Sequence, residues 1–288
     1  MRTYVTSLDT NFIIPTSVML VSLNNCLIVA SKCVVLTSSQ DFLEVKNALI
    51  KLRLSNLELE FISIPESKID ESLAMQGILH FSNAASLRLL ASTSIDDSVD
   101  SIIYLDGDVM IRKPLDNDTF PNEVFSAMIE QKPTQEIHYV SNYFNSGVFS
   151  TQLSFWRKND VEVRLIDFLK QTPTSVYKDQ DALNSVFALV NTKPLPDKLN
   201  FIIQDNNFRK LKKADPTIVH FAGPLKPWKL STPNNKYVRE WRTLAKKSDI
   251  QVHNHDFIKQ YAKRCGYTMR LHTLVRILKT NISRIFLK

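Results

Sequence analysis

The first 64 residues alternate between strand-like and helix-like patterns, and this alternation limits the possible folds more than any other feature. Short apolar runs rich in β-branched residues cover Thr3–Ser7, Leu27–Leu36 and Leu57–Ile64. Between them, apolar residues recur at helical spacing over Pro15–Leu23 and Phe42–Leu52. This order predicts an α/β sheet whose parallel strands are joined by crossover helices.

The rest of the chain continues this pattern and then changes character. We predict a buried strand at Ser101–Leu105 and a late strand at Thr217–Phe221. The remaining predicted helices cover Ser82–Ser92, Ser154–Lys170 and Asp179–Val190. A polar turn at residues 233–235 predicts a boundary between an α/β domain over residues 1–232 and a helical, basic C-terminal region over residues 233–288.

The net charge of +7 comes almost entirely from the C-terminal end. Eight of the 36 basic residues follow Asp256, and no acidic residue does. The other 28 basic residues nearly balance the 29 acidic ones, so we expect no nucleic-acid partner for the body of the protein.

The tail from Tyr267 to Lys288 predicts a basic amphipathic helix. Its apolar residues recur at three- and four-residue steps, at Leu271, Leu274, Leu278, Ile282 and Ile285. Such a helix can lie on an anionic membrane surface, whereas the alternative is that it packs on the protein body. We find no segment typical of a signal peptide or a membrane-spanning helix, so we expect a cytoplasmic protein peripheral to the inner face of the cell membrane.

The five glycines lie too far apart to form a phosphate-binding loop. The three cysteines likewise form no Cys-x-x-Cys pair for zinc. A nucleotide ligand would therefore need a metal and cationic side chains to neutralise its phosphates.

Two carboxylates follow the predicted strand Ser101–Leu105. Asp106 and Asp108 are two residues apart, so on an extended chain they face the same side. Ligands of α/β sheets bind at such strand ends, and carboxylates favour Mg²⁺ or Mn²⁺. The spacing alone is common, and Asp116 with Asp118 repeats it without a preceding apolar strand.

Two further segments carry polar residues suited to a phosphorylated sugar. His220 follows a predicted strand as a candidate third ligand, with Gly223 and Lys226 downstream for a diphosphate. Asn145 ends a polar turn before an apolar strand, and Asp179 or Gln180 would either cap a helix or bind sugar hydroxyls.

Together these segments resemble glycosyltransferase family 8, which includes glycogenin and the galactosyl- and glucosyltransferases of bacterial lipopolysaccharide. The resemblance rests on four motifs in order: Leu105-Asp-Gly-Asp108, Phe144-Asn-Ser-Gly147, Asp179-Gln-Asp181 with Leu183-Asn184, and His220-Phe-Ala-Gly-Pro-Leu-Lys-Pro-Trp228. It covers roughly residues 1 to 230. The segments Thr6–Phe12 and His80–Arg88 are similar to the nucleotide-binding edge of the family.

The resemblance implies a single-domain, nucleotide-sugar-binding GT-A fold with a mixed, mainly parallel sheet. It also implies a retaining transfer of galactose or glucose from a UDP-sugar to a saccharide or glycolipid acceptor. Mn²⁺ or Mg²⁺ would be held by Asp106, Asp108 and His220. The implied donor contacts are Asp9, Asn11, Phe12, His80, Arg88, Asn145, Asp179, Gln180, Gly223 and Lys226, with Gln180, Asp179 and Arg88 nearest the chemistry.

Two other functions remain open from the sequence. Phosphotransferases of the haloacid type also end an apolar strand in Asp-x-Asp, although nearer the chain start. A non-catalytic membrane-surface protein with a vestigial site is the other alternative.

Overall fold

The computed structural model describes residues 2–68, 86–130, 142–172, 175, 177–188, 190, 193–203, 214–229 and 232–251. The strands are β1 (Thr3–Ser7), β2 (Ser31–Ser38), β3 (Leu57–Ile64), β4 (Ser101–Leu105), β5 (Val109–Ile111), β6 (Phe125–Ile129), β7 (Phe144–Gln152), β8 (Phe201–Ile202) and β9 (Ile218–His220). The α-helices are α1 (Ile13–Cys26), α2 (Phe42–Leu49), α3 (Ala91–Ser94), α4 (Leu153–Lys158), α5 (Val161–Gln171), α6 (Lys178–Phe187) and α7 (Lys236–Lys247).

The main sheet has six strands in the order β3-β2-β1-β4-β7-β6. Strands β3, β2, β1 and β4 are parallel, and β7 runs antiparallel to both of its neighbours. The predicted mixed, mainly parallel α/β sheet is confirmed. Because the parallel strands end at one edge, the residues that follow β1 and β4 are brought to the same side of the molecule.

Three of the predicted strands, β1, β3 and β4, have the predicted bounds. Strand β2 instead begins at Ser31, which lies opposite Leu57, the first residue of its partner β3. Before it, Leu27 forms an isolated parallel bridge with Leu115, and Ile28 and Val29 are 64% and 50% exposed.

Two predicted helices differ from the structure. The helix predicted at Ser154–Lys170 is divided into α4 and α5 by Asp160, whose φ of 48° is incompatible with a continuous helix. The described part of the helix predicted at Ser82–Ser92 is a 3₁₀ turn at Leu87–Leu90 that continues into α3.

Helices cover both faces of the main sheet. On one face, Leu23 of α1 and Val45 of α2 share a hydrophobic cluster with Leu57 of β3. On the other face pack α3 to α6, to which Trp156 and Phe187 belong. Burial on both faces explains why the central strands are almost continuous apolar runs.

A second sheet, in the order β5-β9-β8, lies beside α1 and α7. Helix α7 begins after Asn235, whose side chain accepts hydrogen bonds from the first backbone N–H groups of the helix. Its Trp241 is fully buried in a cluster with Val18 of α1 and Val219 of β9. The first helix of the predicted C-terminal region therefore shares a hydrophobic cluster with the α/β domain.

Within the described residues, no helix is both long and apolar enough to cross a membrane. The predicted amphipathic tail lies outside those residues, so its membrane contact stays a prediction.

Candidate active site

Two strand pairings bring the three predicted metal ligands together. The Asp106 N–H, just after β4, donates to the Gly147 carbonyl and extends the pairing of β4 with β7. In the second sheet, Val109 lies opposite His220, which places Asp108 beside that histidine. As a result, one ligand atom from each of Asp106, Asp108 and His220 lies within 4.8 Å of the other two.

Each of the two aspartates has one oxygen paired with a cationic side chain. Asp106 Oδ1 lies 3.0 Å from Arg88 Nη2 and also accepts a hydrogen bond of 3.1 Å from the Tyr104 hydroxyl. Asp108 Oδ2 accepts a hydrogen bond of 2.5 Å from Lys226 Nζ. The cations thereby orient both carboxylates while using only one oxygen of each.

The second oxygens point toward His220 instead. Its Nε2 lies 3.2 Å from Asp108 Oδ1 and 3.9 Å from Asp106 Oδ2. Asp108 Oδ1 is buried and has no hydrogen-bond partner among the described residues. Two carboxylate oxygens and an imidazole nitrogen that converge in this way fit a divalent cation such as Mn²⁺ or Mg²⁺, with positions left for phosphate oxygens.

The charges around these atoms also favour a cation. Burial alone would raise the pKa of Asp108, but His220, when it is protonated, and Lys226 outweigh burial and hold this pKa below its usual range. Burial raises the pKa of Asp106, against the attraction of Arg88. With His220 neutral, Arg88 and Lys226 offset only two of the three negative charges of Asp106, Asp108 and Asp179, and the remaining negative charge favours a bound cation.

Gly147 allows His220 to approach the aspartates. A Cβ atom at this position would lie 2.2 Å from His220 Cε1 and 2.8 Å from Asp106 Oδ2. Both separations are far below a van der Waals contact, so only glycine fits here without displacing a candidate ligand.

Arg88 links the metal ligands to the predicted sugar-binding residues. Besides Asp106, its guanidinium contacts Asp179 Oδ2 at 3.1 Å and donates to the Ser146 carbonyl at 2.8 Å. It also stacks on the Tyr104 ring at 4.6 Å. A planar group with several fixed donors suits this position better than a lysine would.

Asn145 and Gln180 are hydrogen-bonded to each other. Asn145 Nδ2 donates to Gln180 Oε1 at 3.2 Å and to Glu130 Oε1 at 3.1 Å. Gln180 Oε1 also accepts from the Ser146 N–H, and Gln180 Nε2 donates to the Tyr143 hydroxyl. The two amides predicted to contact the donor sugar therefore lie together, at a bulge in the pairing of β6 with β7.

Helix α6 supplies two site residues and also the side chains that hold the helix in place. Asp181 accepts hydrogen bonds from the Tyr143 and Ser175 hydroxyls and from the Tyr177 N–H. Asn184 bonds to both backbone groups of Phe144. These contacts fix the helix against β7, while Asp179 and Gln180 face Arg88 and Asn145.

Of the predicted nucleotide-binding residues, Phe12 lies next to Gly107, where a Cβ atom would be 3.3 Å from the Phe12 ring. Asp9 caps the 3₁₀ turn Thr10–Phe12 by accepting from the Asn11 and Phe12 N–H groups. The Phe12 ring is half-buried and meets Trp228 edge-on, with 5.9 Å between ring centroids. Asn11 is exposed.

Gly223 and Lys226 lie on the loop that follows β9. Gly223 has a φ of 78° and is exposed, and a Cβ atom at this position would meet no atom of the described residues within 4 Å. The backbone conformation, rather than a lack of space, therefore favours glycine here. Lys226 also donates to the Phe221 carbonyl, which fixes its ammonium group next to Asp108.

Comparison with known proteins agrees with this site. The sequence model of glycosyl transferase family 8 matches residues 4–232, which is most of the chain. The chain belongs to glycosyl transferase family 8. It is therefore a glycosyltransferase, and the predicted family is confirmed.

Relatives within this family include two bacterial proteins. General stress protein A of Bacillus subtilis is 27% identical over 213 residues, which cover 63% of this chain and 73% of the relative. A lipopolysaccharide 1,2-glucosyltransferase of Escherichia coli is 27% identical over 199 residues, which cover 58% of each protein. The aligned region thus spans about half to three quarters of the length of these relatives.

The fold of this family 8 glycosyltransferase is similar to a solved galactosyltransferase structure. The structure is that of LgtC in complex with donor and acceptor sugar analogues, with a TM-score of 0.69 and 21% identity. The match covers 86% of this chain and 96% of the LgtC chain. It supports the GT-A type of fold.

Some residues of the site were not predicted from the sequence, and one predicted residue cannot be placed. Tyr104, Glu130 and Asn200 contact the predicted residues but belong to none of the four motifs, and Ser7 contacts the Tyr104 hydroxyl. Glu130 and Asn200 are distant in sequence from their partners Asn145 and His220, so only the fold reveals their proximity. His80, predicted to contact the phosphates, lies outside the described residues.

Proposed function

We propose that the protein transfers galactose or glucose from a UDP-sugar to a saccharide or glycolipid acceptor such as lipopolysaccharide, using Mn²⁺ or Mg²⁺. The convergence of Asp106 Oδ2, Asp108 Oδ1 and His220 Nε2 carries this proposal. The relation to a lipopolysaccharide glucosyltransferase and the donor and acceptor analogues bound to LgtC support the choice of substrates.

In this proposal the donor lies across the ends of β1 and β4. Phe12 packs on the uracil ring, with Asp9 and Asn11 near the uridine. The diphosphate faces Lys226 and the loop at Gly223, and His80 is a further phosphate contact. Arg88, Asn145, Asp179 and Gln180 surround the sugar.

The chemistry requires stabilisation of the diphosphate that leaves the sugar. When bound, the metal would act as a Lewis acid on the phosphate oxygens. Lys226 adds a positive charge that is already in place, since its ammonium group is held by Asp108 and the Phe221 carbonyl. Preorganised charge of this kind costs no reorganisation as the bond breaks.

Retention of configuration is proposed to proceed by attack of the acceptor on the same face that the diphosphate leaves. A double displacement would need a free carboxylate nucleophile. Asp181 is engaged with Tyr143, Ser175 and the Tyr177 N–H, and Asp179 is paired with Arg88. Gln180 is an amide, so none of these three residues favours a covalent intermediate.

Family membership disfavours the haloacid-type alternative, and the intact set of candidate ligands argues against a vestigial site.

We further propose that the basic tail binds anionic lipid and holds the enzyme at the inner face of the cell membrane. A glycolipid acceptor would be found at that surface.

The test is UDP release from UDP-galactose and UDP-glucose by the purified chain, with and without Mn²⁺. We expect turnover that requires the metal and is abolished by Asp108→Asn. Asp118→Asn is the matched control, because it removes the same charge from an exposed turn. Metal-independent turnover, or full activity of Asp108→Asn at limiting Mn²⁺, would refute the proposal.

A further inference from the structure

Asn200 contacts the side of His220 that faces away from the aspartates. It lies between the 3₁₀ turn Asp197–Leu199 and β8, and its side chain is fully buried. Its Oδ1 is 2.9 Å from His220 Nδ1. No sequence motif includes this residue, and it reaches His220 because β8 pairs with β9.

The orientation of the Asn200 amide follows from two hydrogen bonds, one between Gly147 and Asn145 and one between Asn145 and Asn200. The Gly147 N–H can only donate, and its partner at 3.0 Å is Asn145 Oδ1. The Asn200 group that approaches the same oxygen, at 2.9 Å, must therefore be its NH₂. This leaves Asn200 Oδ1 as the atom that faces His220.

The same chain of bonds determines which ring nitrogen of His220 carries the proton. Because Asn200 Oδ1 can only accept, His220 Nδ1 donates to it. In the neutral ring, Nε2 then presents a lone pair toward Asp106 and Asp108, which is the form that binds a metal.

We propose that Asn200 is a positioning residue that holds His220 in its metal-binding tautomer and ring orientation. The inference rests on the proposed function, since it concerns the metal that this function requires. Hydrogen bonds from a second layer of residues orient metal-bound histidines in many proteins, and their loss commonly weakens metal binding about 10–100-fold.

The Asn200 chain also joins the metal ligand to the predicted sugar-binding residues. Asn145 Oδ1 accepts from both Gly147 and Asn200, and its Nδ2 donates to Glu130 and Gln180. All four hydrogen-bonding positions of Asn145 are therefore used within the protein. A shift of His220 would be transmitted through Asn200 and Asn145 to Gln180.

The test compares Mn²⁺ affinity in full-length variants at saturating UDP, measured from the electron paramagnetic resonance signal of free Mn²⁺. Asn200→Leu removes the acceptor while keeping a similar volume, and we expect about 10–100-fold weaker binding. Asn200→Asp keeps an acceptor toward Nδ1, so its affinity is expected to lie closer to that of the wild type.

Asn24→Leu is the matched control. Asn24 is also buried and accepts a hydrogen bond from the Asn56 N–H, but it lies in α1 and outside the chain of bonds that reaches His220. We expect this variant to lose thermal stability and to keep its Mn²⁺ affinity. If Asn200→Leu does not fold, as judged by circular dichroism, Asn200→Ala replaces it with the same expected loss.

Unchanged Mn²⁺ affinity in a folded Asn200→Leu or Asn200→Ala variant would overturn the inference. An equal loss of affinity in Asn24→Leu would do so as well, because the effect would then be a general consequence of destabilisation. If wild-type protein bound no Mn²⁺ with UDP present, the proposed metal site itself would be refuted, and so would the proposed role of Asn200.

Discussion

Gly147→Ala is predicted to disable the site while leaving most of the fold intact. The new methyl carbon would lie 2.2 Å from His220 Cε1, and carbon atoms normally approach to about 3.5–4.0 Å. His220 would have to move by more than about 1 Å, and a displacement of that size commonly lowers catalytic rates about 100-fold.

The expected cost in stability is modest by comparison. Adding a methyl group to a well-packed interior typically costs about 1–3 kcal/mol. Movement of His220 away from the methyl group would also disturb its contact with Asn200. We therefore expect a folded protein with a slightly lower melting temperature, an activity reduced about 100-fold and a higher Mn²⁺ requirement.

The assay is UDP release as a function of Mn²⁺ concentration, together with thermal unfolding. Ala245→Val is a suitable control, because Ala245 is buried in α7 within the cluster of the second sheet and contacts none of the candidate ligands. It should lose stability without a change in the metal requirement. Wild-type activity and metal dependence in Gly147→Ala would refute the packing argument.

Three further predictions test other parts of the site and the tail. His220→Ala should raise the Mn²⁺ concentration needed for half-maximal activity, and an unchanged Mn²⁺ requirement would show that His220 has a structural role instead. Arg88→Lys should lower transfer at least about tenfold despite the conserved charge, because a lysine cannot contact Asp106, Asp179 and Ser146 together; wild-type kinetics would contradict this. Deletion of residues 267–288 should abolish sedimentation with anionic vesicles at low salt while sparing transfer to a soluble acceptor, and retained vesicle binding would show that the tail is not the anchor.

Local sequence patterns predicted the bounds of three strands of the main sheet. Strands β1, β3 and β4 have their predicted bounds because their apolar runs coincide with their paired segments. Strand β2 is shorter than its apolar run, since its pairing with β3 begins only at Ser31. The break at Asp160 was missed because an aspartate within a helical pattern does not by itself indicate a left-handed conformation.

The candidate ligands were predictable because they occupy motifs at the ends of strands. Asp106, Asp108 and His220 lie together as the resemblance implied. Their supporting residues were not predictable, since Asn200 acts through a contact with His220 that only the pairing of β8 with β9 creates. Tyr104 lies only two residues before Asp106, but its sequence pattern is that of a core strand and does not indicate that its hydroxyl contacts the carboxylate.

The most direct test of the account is the position of the metal in crystals grown with UDP and Mn²⁺. Anomalous diffraction should show one strong peak bounded by Asp106 Oδ2, Asp108 Oδ1 and His220 Nε2, with the diphosphate on its open side near Lys226. A crystal with clear density for UDP but no anomalous peak between these three atoms would contradict the account.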